Sequence, residues 1–160
     1  MAWEKLDTQT LTGVNDNITT GTIAQKKIIQ IISNAIQSGL IDYQQRVGTG
    51  TIDTGNNYSR RQSVNGGAEN TSVNRNNIDE SSSTTSPRMM ISYISNISGN
   101  EKLIQTFFVN AGTLGSGNAP NRSETVGKWA TSTQFDITEV YNSQAGDYAA
   151  DSNLTVFGTD

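Results

Sequence analysis

The sequence predicts an all-β fold, a jelly-roll-like β-sandwich of about eight to nine antiparallel strands. Three observations lead to this prediction. Only 16% of the 160 residues are charged and 33% are apolar, so Asn, Ser, Thr, Gln and Gly make up much of the rest. Thr suits pleated strands, whereas Asn and Gly supply the positive φ that turns require. Turn signals recur at intervals of about 8–12 residues. The length indicates one domain, residues 1–160.

The first two strands are short and polar. Residues 3–13 (WEKLDTQTLTG) alternate Leu6, Thr8 and Thr10 with charged and amide side chains, and we expect a first strand there. Residues 14–23 (VNDNITTGTI) predict a turn that leads into a second, short strand.

Residues 25–39 (QKKIIQIISNAIQSG) allow two interpretations. The spacing of the isoleucines suits an amphipathic helix over residues 26–37. The crowding of β-branched residues favours a strand, buried on much of both faces, and we adopt the strand. Residues 40–48 (LIDYQQRVG) then predict its partner strand, joined across a turn at Ser38-Gly39.

The middle of the chain is polar. Residues 49–57 form a predicted loop, and residues 57–78 predict a solvent-facing or edge hairpin around Asn65-Gly66-Gly67, a strong turn signal. Residues 79–87 (DESSSTTSP) predict a low-complexity loop that is too short to divide two domains.

The C-terminal half supplies most of the predicted core. Residues 88–112 predict an apolar hairpin around Ser98-Gly99-Asn100, and residues 113–124 a long exposed loop. Residues 125–144 predict two further strands. The last strand, 152–158, places Leu154 and Val156 on one face and Phe157 on the other, so we expect it to close the sandwich.

Composition excludes several function classes. The chain has no Cys and no His, which excludes Ser-His-Asp and Cys-His enzymes and typical zinc sites. Its net charge of −4, without a run of Lys or Arg beyond Lys26-Lys27 and Arg60-Arg61, argues against nucleic acid as a partner. Because no long apolar stretch or signal peptide is recognisable, we expect a soluble protein that is made in the cytoplasm and has no membrane partner.

Two loops carry oxygen ligands that suit Ca²⁺. One is residues 142–153, in which Asp147 and Asp151 are the weak metal candidates beside Asn142 and Asn153, and the other is residues 53–57. Neither has the spacing of an EF-hand. Asn and Asp also close turns by bonding to their own backbone, so no metal and no cofactor are predicted.

Carboxylates offer the one remaining route to catalysis. A glycosidase needs two of them about 5–10 Å apart in a cleft. The candidates lie scattered in polar segments, where carboxylates usually serve solvation, so we expect no enzymatic activity. They are Asp53, Glu69, Asp79, Glu80, Glu101, Glu124, Asp136 and Glu139.

Aromatic side chains are candidates for a partner surface or for sugar stacking, the alternative role being core packing. We select Trp3, Trp129 and Phe157 as interface residues. Trp3 lies near a chain end that would fray unless the side chain docks, core and interface suit Trp129 equally well, and Phe157 faces away from the predicted core.

Four segments resemble small virion structural proteins of tailed bacteriophages: MAWEKL at the start, GNNYSRRQSVNGGAE, NAPNRSETVGKWA, and GDYAADSNLTVFGTD at the end. The resemblance rests on turn and strand patterns over most of the chain. In these proteins an aromatic residue commonly precedes the final Gly and an apolar residue often follows it. The ending VFGTD departs from this pattern after the Gly, where Thr159 and Asp160 stand. The resemblance implies a β-sandwich on a capsid or tail surface, often as a trimer.

The leading hypothesis is a non-enzymatic capsid decoration, or cement, protein that binds the major capsid protein lattice on the outside of a phage head. Its expected location is the virion surface, and a homotrimer is favoured. The alternative is a carbohydrate- or receptor-binding module of a phage fibre or tail, with a host glycan as ligand.

Overall fold

The computed structural model describes residues 2–79 and 85–160, and every regular element within them is a strand. Five strands precede the polar hairpin: β1 (Glu4–Thr10), β2 (Asn17–Thr19), β3 (Ile28–Ala35), β4 (Gln44–Thr49) and β5 (Thr51–Ile52). The next three are β6 (Tyr58–Val64), β7 (Asn70–Arg75) and β8 (Ile78–Asp79). The last five are β9 (Arg88–Ser95), β10 (Lys102–Asn110), β11 (Asn121–Trp129), β12 (Ile137–Tyr141) and β13 (Asn153–Thr159).

These strands form two sheets. The large sheet has eight strands in the order β1-β13-β3-β9-β10-β11-β6-β7. The small sheet has the order β2-β12-β4-β5, with β8 paired to β4. All of these pairs are antiparallel. The predicted jelly-roll-like β-sandwich of antiparallel strands is therefore confirmed as an all-β, sandwich-like fold. The strand count exceeds the prediction partly because β5 and β8 have two residues each.

The core lies between the sheets. It is formed by one face of the large sheet, by residues of the small sheet such as Val47 and Val140, and by the connecting residues Ile41, Tyr43 and Tyr148. Leu154 and Val156 are fully buried there, as predicted for the last strand. Strand β13 makes hydrogen-bonded ladders with β1 on one side and β3 on the other, so it is an interior strand of the large sheet.

Strand β3 settles the choice between helix and strand. Its burial alternates, with Ile29 and Ile31 fully buried and Ile28 exposed on the opposite face. The strand prediction is confirmed. The prediction that the strand is buried on much of both faces was wrong within this chain. Ile32 on the second face of β3 is only half-buried, so the described residues do not cover that face completely.

The predicted pairing of residues 40–48 with β3 was wrong. Strand β4 lies in the small sheet beside β12, whereas β3 pairs with β13 and β9. Around Gly39 the chain crosses between the sheets and packs tightly against Gly146, whose N–H donates to Leu40 O at 2.9 Å. A Cβ on Gly146 would lie 2.6 Å from the carbonyl carbon of Gly39, so the close approach requires glycine.

Both predicted hairpins are confirmed. Asn65 and Gly66 have φ of 52° and 73°, the left-handed pair of a type I′ turn between β6 and β7, and β7 forms an exposed edge of the large sheet. Strands β9 and β10 pair over their length around Ser98-Gly99-Asn100. The predicted loop 79–87 falls mostly on residues 80–84, outside the described residues.

Candidate functional site

The outward face of the large sheet is apolar over its central strands. In β3, β9 and β10 apolar residues occupy both alternating positions, so one set points into the core and the other points away from it. We call the outward set the apolar face. It consists of Ile28, Ile32, Met89, Ile91, Tyr93, Leu103, Phe107, Val109, Val126 and Phe157.

Much of the apolar face is open to solvent. Leu103 is 62% exposed, Val126 55% and Phe107 44%, although each neighbours a fully or nearly fully buried residue along its strand. Single exposed apolar residues are ordinary on soluble proteins, but a contiguous set usually marks an interaction site. This face is therefore the strongest candidate for function.

One end of the apolar face is hollowed into a groove of about 800 Å³. Its apolar lining includes Tyr93, Leu103, Val126 and, from β7, Val73. Three cationic residues and no carboxylate complete the charge pattern of the lining: Arg60, Arg61 and Lys128. The groove thus combines apolar walls with cationic side chains, of which Arg61 and Lys128 are paired with Glu69 and Glu101.

Ion pairs within the chain flank this face. Lys128 Nζ lies 2.7 Å from Glu101, and Arg61 and Arg122 each lie 3.4 Å from Glu69 and Glu124, respectively. These side chains are between 43% and 64% exposed, so each pair contributes little to stability. The pairs border the apolar face on its β11–β6 side with polar groups of both signs.

The three predicted interface residues have different environments. Trp3 is 48% exposed and precedes the edge strand β1. Phe157 is half-buried on the apolar face. The selection of Trp129 as an interface residue was wrong, because Trp129 is 3% exposed and belongs to the core of its own chain.

The indole of Trp129 is fixed by two contacts. Its Nε1–H donates to Asp53 Oδ2 at 2.6 Å, and its ring stacks on Tyr58 with centroids 6.5 Å apart. Burial alone would raise the pKa of the Asp53 carboxyl, but hydrogen bonds from Trp129, Asn57 and the Gly55 N–H lower it overall. The 53–57 loop is thus closed by hydrogen bonds from its own backbone and side chains to Asp53. This turn-closing role is the one that the sequence analysis gave as the alternative to a metal site.

The weak metal candidates Asp147 and Asp151 have different surroundings. The Asp147 carboxyl is hydrogen-bonded to Asp16, and partial burial together with that neighbouring carboxyl raises the pKa of Asp147. Asp151 occupies a left-handed turn with φ of 69°. Over residues 2–79 and 85–160, no group of three or more acidic residues is arranged to hold a metal ion.

Amide groups hold the 142–146 loop instead. Asn142 Oδ1 accepts from the Asp42 N–H at 2.8 Å and from the Gln144 N–H at 3.1 Å, and Ser143 N–H donates to Asp42 Oδ1 at 2.7 Å. These bonds join the loop to the segment that crosses between the sheets.

Six of the candidate catalytic carboxylates have structural partners. Glu69, Glu101 and Glu124 belong to the ion pairs described above, and Asp53 accepts from Trp129. The other two are Asp136, which accepts from the Gly50 N–H at 2.7 Å, and Glu139, which lies 3.3 Å from Arg46. Glu80 lies outside the described residues, and of Asp79 only the backbone is described.

Buried charged groups were missed by the sequence reasoning. Arg46 pairs with Glu139 and places Cζ 3.5 Å from the ring centroid of Tyr141. Lys102 is fully buried, and its Nζ donates to the carbonyl oxygens of Ile97 at 2.7 Å and Ser132 at 3.1 Å, while burial lowers its pKa. These groups fix loops and interior strands, so they support the framework behind the apolar face.

The sequence reasoning did not select the residues of the apolar face as an interface, apart from Phe157. The signal was present in RMMISYIS and KLIQTFFVN, in which apolar residues stand at both alternating positions. Such strands are typical of sheets that are covered on both faces.

No family model matches the chain, and no curated protein matches its sequence. The described residues contain no helix that is long and apolar enough to cross a membrane.

Proposed function

We propose that this chain is a non-enzymatic virion structural protein, a decoration protein that binds the major capsid protein lattice on the outer surface of a phage head. The observation that carries the proposal is the apolar face, a sheet surface built like a core but left open to solvent. A surface of this kind suits adhesion to another protein. The sequence resemblance to small phage virion proteins directs the proposal to a capsid.

The energetics favour repeated binding over a single contact. Burying roughly 300 Å² of apolar surface yields on the order of 7 kcal/mol. Association itself costs on the order of 4–15 kcal/mol, so one such contact alone would be weak. A homo-oligomer, for which we favour a trimer, would bind a repeating shell through several contacts at once and gain avidity. Binding to the assembled shell alone would stabilise that shell by mass action.

The polar groups agree with a role that involves no turnover. The described candidate carboxylates are engaged in ion pairs, turn bonds and the Trp129 contact. The proposed location is the virion surface, after synthesis in the host cytoplasm.

A carbohydrate-binding role on a tail or fibre is the second candidate. The observation that favours it is the pair of exposed rings Tyr93 and Phe107, with Gln105 exposed between them on the same face. Aromatic faces stack on sugars, and an amide can bond hydroxyl groups.

The test is cosedimentation of the purified chain with heads of the encoding phage that lack it. We expect saturable binding with hundreds of copies per head, counted by mass spectrometry. Phe107→Ser, on the apolar face but outside the groove, should weaken binding. Val14→Ser, which removes another exposed apolar side chain, is the matched control and should bind normally. Specific hits on a glycan array without head binding would replace the decoration role by the second candidate.

A further inference from the structure

We propose that Asn65 is a deamidation site that the folded chain protects, and that the reaction, once it has occurred, opens the hairpin of β6 and β7 irreversibly. The motif is Asn65-Gly66, the one Asn-Gly pair in the sequence. Both residues are exposed, so water reaches them. The inference concerns the chemistry of the chain itself and does not depend on the virion role.

The reaction at this pair needs no reactant other than water. The Gly66 nitrogen attacks Asn65 Cγ, the Cγ–Nδ2 bond breaks, and ammonia leaves with the proton that the Gly66 nitrogen loses. Water then opens the cyclic imide at either of its two carbonyl carbons, which gives aspartate or isoaspartate at position 65. Glycine favours the attack because it has no side chain to hinder the approach of its nitrogen.

In the folded chain the Asn65 side chain is bound to the start of β11. Its Oδ1 accepts the Arg122 N–H at 2.9 Å, and its Nδ2 donates to Asn121 Oδ1 at 3.0 Å. The Asn65 backbone N–H also donates to Arg122 O at 3.0 Å. Cyclisation must turn the carboxamide toward Gly66 and give up both side-chain bonds. The contact with β11 therefore opposes the reaction for as long as it lasts.

The backbone of the turn opposes the reaction as well. The Gly67 N–H donates to Val64 O at 2.9 Å, and Asn65 and Gly66 are the two central residues of the type I′ turn. The first central residue of such a turn has ψ of about +30°, the mirror image of type I. This ψ places the Gly66 nitrogen and Asn65 Cβ on nearly opposite sides of the Cα–C bond, whereas ring closure needs them on the same side. The peptide after Asn65 must flip before the ring can form.

Position 65 needs an amide, although the turn itself does not. Asp-Gly also suits a type I′ turn. A carboxylate at position 65, however, would set an oxygen against Asn121 Oδ1, where the amide now donates. Turning the Asn121 amide round would give up its bond to Asn110 Oδ1 at 3.2 Å. The aspartate product therefore cannot regain the contact that protected the amide.

Isoaspartate is the more disruptive product. Its main chain runs through Cβ and Cγ, so the two-residue turn gains a backbone atom and no longer matches the twist of its strands. Strand β7 is held in the large sheet by its ladder with β6, and it supplies Thr71, Ser72 and Val73 to the groove. A broken turn loosens that ladder, so the reaction removes one wall of the groove.

The first experiment follows Asn65 in the intact chain by peptide mapping with mass spectrometry, at mildly alkaline pH, with and without urea. Chromatography separates the aspartate and isoaspartate products. We expect Asn65 in the unfolded chain to react at least about 5-fold faster than in the folded chain, as expected for the release of two hydrogen bonds. Equal rates in the folded and unfolded chains would overturn the proposed protection.

Two variants at Asn121 test the protecting contact in the folded chain. Asn121→Ala removes the acceptor of the Asn65 amide and should speed the reaction about 2- to 10-fold, as expected for one hydrogen bond. Asn121→Asp is the matched control, because it keeps an acceptor for Asn65 while it loses the bond to Asn110, and it should react like the unmodified chain. Circular dichroism checks that each variant is folded. No change in Asn121→Ala, or the same acceleration in both variants, would contradict the role of this contact.

The consequence for the groove is tested on the aged chain. Hydrogen exchange should be faster in the β6–β7 ladder of the isoaspartate form than in the unmodified chain, with β3 and β9 unchanged as the internal reference. An isoaspartate form whose β6–β7 ladder exchanges at the original rate would refute the opening of the hairpin.

Discussion

Two leucines of the large sheet should respond very differently to truncation. Leu154 is fully buried on the inward face, whereas Leu103 is 62% exposed on the outward face. Replacing a buried Leu by Ala removes its transfer free energy and leaves a cavity, so Leu154→Ala should lower the free energy of unfolding by about 3–5 kcal/mol. Leu103→Ala should lower it by less than about 0.5 kcal/mol. For a domain of this size, the first change corresponds to a fall in Tm of roughly 6–20 °C.

The assay is urea unfolding followed by far-ultraviolet circular dichroism, at a protein concentration low enough for the chain to be monomeric. The m-values of both variants should match that of the unmodified chain, so that shifts in midpoint report stability. Equal losses for the two variants, or a larger loss for Leu103→Ala, would refute the assignment of inward and outward faces. A large loss for Leu103→Ala that appears only at high concentration would instead show that another copy covers the outward face.

Three further predictions follow from the interior contacts. Because hydrogen bonds hold the pKa of Asp53 below its usual range, the stability that this group contributes is present at neutral pH and is lost as the pH falls below about 4. Trp129→Phe removes one of these hydrogen bonds, so the Tm of the variant should fall less steeply on acidification than that of the unmodified chain. An unchanged dependence of Tm on pH would contradict the role of this hydrogen bond. Arg46→Ala leaves Glu139 buried without its cation and should cost about 3–5 kcal/mol in urea unfolding, more than the double change Arg46→Met with Glu139→Leu. Deleting 152–160 removes an interior strand and should prevent folding, which a soluble, cooperatively melting truncated chain would disprove.

Local patterns predicted the elements better than their partners. Asn65-Gly66 predicted its hairpin because two consecutive positive φ values leave few other turns. The segment from Leu40 to Gly48 alternates as a strand should, but nothing local shows that the chain changes sheets after Gly39. That change depends on Gly146, more than a hundred residues away, and single-sequence periodicity does not contain such a contact.

The candidate site was harder to predict for a related reason. Trp129 and Trp3 look equivalent as large apolar residues in polar surroundings, yet Asp53 and Tyr58 fix the first indole in the core. The apolar residues of β9 and β10 were read as core because alternation alone does not say which face a second sheet will cover. Only the placement of the small sheet leaves Phe107 and Leu103 on the open side.

The outward face differs from the core in a way that suits reversible adhesion. On the inward side, Ile29, Ile94 and Ile104 stand next to one another across three strands. On the outward side, the neighbouring row of paired residues alternates apolar residues with amides and a cation. Its order is Gln30, Tyr93, Gln105, Val126 and Arg61. The polar members keep water at the surface of the free chain. The apolar members still yield free energy when a partner of complementary shape displaces that water.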